Sequence, residues 1–148
     1  MEVGPASAED LIAIRALLER SGLPTSDLET TQPEFAVIRE SGQVIAAGAL
    51  QRFGSSALLR SVVVTPDRRG SGLGRAIVGE LERLARASQV SRLILLTQTA
   101  ADFFAHQGYR AVERSSAPED MQRSEEFRSL CPSSAGCMTK NLPRSTEE

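Results

Sequence analysis

Alternating glycines at Gly70, Gly72 and Gly74 constrain this chain more than any other feature, because of what stands on either side of them. Upstream, Ala57-Leu58-Leu59-Arg60-Ser61-Val62-Val63-Val64 is rich in β-branched residues and is ended by Pro66, which predicts a strand. Downstream, Leu73, Ile77, Leu81 and Leu84 recur at spacings of four, four and three, which predicts an amphipathic helix running to about Ser88. A strand that turns through glycines straight into a helix aims several backbone N–H groups and the positive end of the helix dipole at one spot. Phosphate oxygens suit that spot, and glycine lets the backbone approach them without a Cβ in the way. Taken alone, the same glycines also suit a tight turn that binds nothing. Spacing sets aside two familiar phosphate loops. A dinucleotide fingerprint needs G-x-G-x-x-G, and a P-loop ends in Gly-Lys-Ser/Thr, whereas this run is G-x-G-x-G after an arginine.

The remaining elements follow from periodicity and punctuation. Residues 1–5 read as a first strand or its remnant. Ser7 stands three residues before Asp10 in a capping-box-like start to a helix with Leu11, Ile14, Leu17 and Leu18 at helical spacing, stopping near Ser21-Gly22. Thr25 to Pro33 is polar, with room for one short helix. Phe35 to Ile38 and Val44 to Leu50 form a hairpin around Glu40-Ser41-Gly42-Gln43. Arg92 to Thr97 is a buried strand, Ala100 to Gln107 a short helix stopped by Gly108, and Tyr109 to Arg114 a further strand. Pro118 to Leu130 is polar and partly helical, and Ala135 to Leu142 closes the sheet. The order is β-α-(α)-β-β-β-α-β-α-β-β. It predicts an α/β (α+β) fold, with a mixed, mostly antiparallel sheet and helices on both faces. The length of 148 residues suits a single domain over residues 1–142 with a frayed tail at 143–148.

Composition narrows the partners. A net charge of −2 supplies no general attraction for nucleic acid, and the one basic knot, Arg68, Arg69 and Arg75, flanks the glycines. No run approaches the ~18 apolar residues of a membrane span, and Met1 to Pro5 carries no secretory signal. A cytoplasmic protein with no membrane or nucleic-acid partner is expected, with Cys131 and Cys137 as reduced thiols.

The block Val62-Val63-Val64-Thr65-Pro66-Asp67-Arg68-Arg69-Gly70-Ser71-Gly72-Leu73-Gly74 resembles the GNAT acetyltransferase pattern, in which Arg/Gln-x-x-Gly-x-Gly/Ala opens a long helix after a strand and a proline turn. Ala101-Asp102-Phe103-Phe104-Ala105-His106-Gln107-Gly108-Tyr109 resembles the same family's later helix ending in Gly-Phe. The resemblance implies the GNAT fold with its splayed central strand, acetyl-CoA as co-substrate, no metal, and direct attack of an amine on the thioester. It implies pyrophosphate binding by the backbone of Arg69, Gly70, Ser71, Gly72, Leu73 and Gly74, with Arg75 beside them. Val62 and Val64 would pair with the pantetheine arm, and Phe103 and Phe104 would line its slot. An N–H near Val63 or Val64 would support the developing oxyanion.

The sequence departs from the family at the acid and the base. Many members carry a tyrosine four residues before the glycine, and here that position is Phe104. His106 is read as a surface residue, and Glu29 and Glu34, before the hairpin, are read first as a solvated face; Glu29 is the candidate base, with a water relay and no single base as the alternative. The segment Glu125 to Ala135, with Arg60-Ser61 and Thr97-Gln98-Thr99-Ala100, resembles the arsenic-resistance-associated, ArsN-type branch, which implies a phosphinothricin- or arsinothricin-like amino acid as acceptor. Arg60, Ser61, Arg114 and Arg123 would then meet the substrate, the arginines as bidentate partners for its carboxylate or side-chain anion. Soft thiolates at Cys131 and Cys137 raise metalloid binding as an alternative, though their spacing matches no metal motif. Two further readings stand beside small-molecule acetylation: a weakly catalytic binding protein sensing acyl-CoA or arsenic(III), and a peptide or protein N-acetyltransferase. An exposed closing strand makes a homodimer an expectation by analogy.

Overall fold

The structure, a computed structural model, describes residues 2–130 and 135–143. The strands are β1 (Glu2–Pro5), β2 (Glu34–Glu40), β3 (Gln43–Phe53), β4 (Ser56–Val64), β5 (Arg92–Thr97), β6 (Arg110–Val112) and β7 (Gly136–Asn141). The helices are α1 (Asp10–Arg20), α2 (Leu28–Thr31), α3 (Leu73–Ala87), α4 (Ala101–His106) and α5 (Glu119–Gln122), with a π-helical stretch at Glu126–Leu130. The strands form one mixed sheet in the order β1-β2-β3-β4-β5-β7-β6, with β4 and β5 parallel and antiparallel pairing for β1/β2, β2/β3, β5/β7 and β6/β7. The predicted fold class and element order hold. The strand expected from Tyr109 to Arg114 is shorter, because Arg114–Ser116 turns into a 3-10 helix.

The chain divides into two compact units, Met1–Gln51 with Leu59–Leu84, and Arg52–Leu58 with Ala85–Glu148. In the first, β3 is buried on both faces. Ala47 and Ala49 meet Ile14, Leu17 and Leu18 of α1 together with Phe35, Val37 and Val63. Gly48, one residue out of phase with them, faces α3, because alternate residues of a strand point to opposite sides. A Cβ on Gly48 would lie 2.6 Å from Ile77 Cγ2 and 2.8 Å from Leu81 Cδ1, so α3 rests almost directly on the backbone of β3. The helical spacing of Leu73, Ile77 and Leu81, all buried, sets that contact.

In the second unit, Leu58, Ile94, Ala117, Met121, Phe127 and Cys137 form the core. The closing strand β7 is not an exposed edge. Leu95↔Met138 pairs it with β5 and Ala111↔Met138 pairs it with β6, so both its sides are hydrogen-bonded and the expectation of a free edge there is corrected.

The capping box at the start of α1 is present. The Asp10 carboxylate accepts from the Ser7 amide at 2.8 Å and the Ser7 hydroxyl at 3.1 Å, and it pairs with the Arg39 guanidinium of β2. Arg39 first, and the Ser7 amide next, hold the Asp10 carboxyl down from 3.8 to about 2. A depressed carboxylate stabilises the fold above its unfolded pKa of 3.8, and that contribution is lost as pH falls through about 2. Asp10→Asn is therefore expected to cost ~1 kcal/mol in urea unfolding at neutral pH. The gap from wild type should close as pH falls below 3.8 toward 2. A gap independent of pH would show that charge plays no part.

Candidate active site

The strand β4 breaks its extended backbone at one residue. Ser61 has φ +59, a left-handed residue inside an otherwise extended run, and a non-glycine residue there carries roughly 1–2 kcal/mol of strain. Val62, Val63 and Val64 follow, with Val63 buried in the α1 core and its neighbours half-buried. The Thr65 amide donates to Ile45 O at 2.9 Å, which ties the strand end to β3, and the Pro66–Arg68 3-10 turn then reverses the chain.

The glycine loop comes next. Gly70 and Gly72 have φ +82 and +88, which only glycine adopts without strain, and a Cβ on either would point into space with no atom within 4 Å. The opening bond of α3, from the Ala76 amide to Gly72 O at 3.1 Å, leaves the amides before it without an acceptor inside the helix. The Ser71 hydroxyl donates to Arg68 O and steadies the turn. Arg68 pairs with Glu40 at the end of β2, whereas Arg69 and Arg75 are exposed beside the loop. Just ahead of the turn, Thr65 Oγ1 is buried with no hydrogen-bond partner. An orphaned hydroxyl, open space at two left-handed glycines and amides with no acceptor inside the helix together fit a bound pyrophosphate and its arm.

The residues expected to meet the acceptor are placed differently from one another. Arg60 is 3% exposed, and its Nη1 and Nη2 donate to Asp27 Oδ2 and Oδ1 at 2.6 and 2.7 Å. Nη1 also reaches Gln51 Oε1 at 3.1 Å, and Nε reaches Ser61 Oγ at 3.4 Å. Its fork thus grips a protein carboxylate. Arg114 donates to the carbonyls of Phe127 and Ala135 at 3.2 and 3.0 Å, whereas Arg123 is exposed. Glu29 lies exposed on α2. In the second unit, Phe104 is buried, edge-to-face with both Phe103 and Tyr109, and so contributes packing. His106 is exposed, with Nδ1 2.7 Å from Asp102 O.

Cys137 is a core residue whose thiol burial pushes its pKa up, which makes it a poor soft ligand. Cys131 lies outside the described residues. Among the described residues no group of three His, Cys, Asp or Glu side chains could hold a metal ion, and no helix is long and apolar enough to cross a membrane.

Sequence reasoning passed over Asp27, Gln51 and Thr65. An aspartate before a short helix is a ready cap, yet Asp27 makes no side-chain capping bond to α2 and turns inward. The available signal was Arg60 itself, because a guanidinium inside an apolar strand requires a buried anion nearby.

Residues 31–111 match the family model described as the acetyltransferase (GNAT) domain. The amino-acid acetyltransferase of Aliivibrio fischeri is 29% identical over 135 residues, covering 85% of this chain and 30% of that protein. The amino-acid acetyltransferase of Mycobacterium tuberculosis is 38% identical over 73 residues, covering 49% of this chain and 41% of that one. The chain thus spans well under two thirds of these relatives. A Mycobacterium tuberculosis structure in complex with CoA and NLQ superposes with a TM-score of 0.83 at 28% identity, covering 97% of this chain and 100% of that one. N-acetylglutamate synthase from Neisseria gonorrhoeae, complexed with coenzyme A and N-acetyl-glutamate, shares the fold with a TM-score of 0.83 at 22% identity, over 97% of this chain and 35% of that one.

Proposed function

The chain belongs to the GNAT acetyltransferase family, and on that premise we propose that it is an acyl-CoA-dependent N-acetyltransferase whose acceptor is the α-amine of a free amino acid. The observation that carries the donor half is the pair of left-handed glycines, Gly70 and Gly72, opening onto free space at the start of α3. The amides of Arg69 to Gly74 hold the pyrophosphate, with Arg69 and Arg75 as flanking charges. Acetyl-CoA supplies an activated acetyl group with a good leaving thiolate. The main chain of Val62 and Val64 aligns the arm, and an N–H near Val63 or Val64 meets the carbonyl oxygen as charge builds there. Positioning does most of the work. The thiolate departs unassisted or takes a proton from water. The ammonium of the acceptor loses its proton to water or to exposed Glu29.

The acceptor class is supported by the relatives called amino-acid acetyltransferases and by the related structure holding CoA and NLQ. Within it we favour amino acids with an anionic side chain, glutamate and its phosphinate analogue phosphinothricin among them. Buried Cys137 leaves the arsenic(III)-sensing alternative with little support. The test is release of free CoA thiol from acetyl-CoA, with the acetylated product identified by mass spectrometry. Release is expected with L-glutamate or L-phosphinothricin and not with their N-acetylated or deaminated analogues. Release with peptide N-termini but with no free amino acid would sink the acceptor assignment.

A further inference from the structure

Among residues 21–33, the connector from α1 through α2 to β2, Asp27 alone is buried, at 2% exposure. The side chains of Asp27 and Arg60 are each 1% exposed. Taking two charges out of water is expensive, and a well-packed apolar pair is often as stable or more so. What the charged pair adds is direction. Two parallel N–H···O bonds fix a carboxylate and a guanidinium in one plane and one register, which apolar contact does not.

Each end of the pair is itself anchored. The Asp27 carbonyl accepts from the hydroxyls of Thr30 and Thr31 at 3.0 and 2.8 Å and from their amides at 3.2 and 2.9 Å, so α2 is rigidly attached to the residue that carries the carboxylate. Arg60 immediately precedes Ser61, the left-handed residue that launches Val62 to Val64, and it is braced by Gln51 of β3 and by the Ser61 hydroxyl. One ion pair therefore references α2 to the point where β4 changes course. We infer that Asp27 and Arg60 are positioning residues, a buried clamp that sets α2 and the connector against the strand Val62–Val64 and so shapes the acceptor side of the site. The inference rests on the acetyltransferase reading for its functional consequence, and on geometry alone for the clamp.

Removing one partner strands a buried charge and is expected to compromise folding, so the informative variant is the apolar pair Asp27→Leu/Arg60→Met. Four measurements are made on it and on wild type: urea unfolding, acetyl-CoA affinity by calorimetry, kinetics with L-glutamate, and amide hydrogen exchange. The double variant is expected to keep its unfolding midpoint and to bind acetyl-CoA within ~3-fold of wild type, because the glycine loop is untouched. Exchange across residues 28–31 should rise at least ~10-fold. The kcat/KM for L-glutamate should fall ~100-fold, the scale of a small misplacement at a reacting centre. Wild-type exchange, wild-type turnover, or equal losses of turnover and of acetyl-CoA binding would each overturn the clamp. If wild type itself neither binds acetyl-CoA nor releases CoA, the acetyltransferase reading falls. Exchange then decides the clamp alone, with a rise confined to residues 21–33 and 60–64 supporting it and no rise refuting it.

Discussion

Gly72→Glu is expected to weaken acetyl-CoA binding by at least ~100-fold while leaving a folded protein. Two terms add to reach that figure. At φ +88 any residue with a Cβ is strained by about 1–3 kcal/mol, and the open space around Gly72 gives the side chain no internal clash to add. The new carboxylate then stands where phosphate oxygens are to sit, and like charges ~4 Å apart near a protein surface repel by about 4 kcal/mol. Together these exceed the ~2.7 kcal/mol that a hundredfold change in affinity requires. Gly72→Ala isolates the backbone term and should lose only about tenfold. Calorimetric titration of wild type and both variants, each checked by circular dichroism, separates the two, and the glutamate defect should ease as salt rises. Equal binding by all three proteins would mean that the loop holds no phosphate.

Gly48→Ala is expected to lower stability by ~2 kcal/mol, roughly 8 °C in Tm, although it adds a single methyl group. The methyl would lie 2.6 Å from Ile77 Cγ2, a β-branched methyl with little freedom, and 2.8 Å from Leu81 Cδ1, which can turn aside. Relief must come in part from lifting α3, and α3 carries the glycine loop on its first turn. Acetyl-CoA affinity should therefore fall with stability, although Gly48 touches no ligand. In an Ile77→Ala background the same substitution should be less harmful by ~1 kcal/mol, because the two changes share one space. Strict additivity in denaturant titrations of the double-mutant cycle would show that the close approach is not the cause.

The sequence displayed what local chemistry decides. Strand β5 runs from Arg92 to Thr97 as expected, α3 buries Leu73, Ile77 and Leu81 of its stripe and leaves Leu84 half-buried, and Ser7 and Asp10 make their reciprocal contact. The glycine loop falls where the spacing put it. Less visible were features set by pairs distant in sequence. Nothing near Arg60 announces that Asp27, across α2, β2 and β3, will take its guanidinium, so a plausible substrate ligand emerged with a protein partner. The left-handed backbone at Ser61 was equally hidden, because glycine is the usual signal for such a conformation and serine is not. Gly48 read as one small residue in an Ala-Ala-Gly-Ala run, and its meaning appeared only with a helix laid across it.

The position of β7 bears on how the chain is made. Although synthesised after β6, it lies between β5 and β6 and supplies hydrogen bonds to both. On the ribosome, β5 and β6 thus emerge with no partner for their facing edges and must wait through the α5 region before the missing strand arrives. During that interval the apolar run Leu93 to Leu96 offers an open edge to any other nascent chain. Chains cut short before Gly136 should accumulate as aggregates rather than as partly active fragments, and synthesis of the full chain should profit from holdase chaperones or slow growth at low temperature.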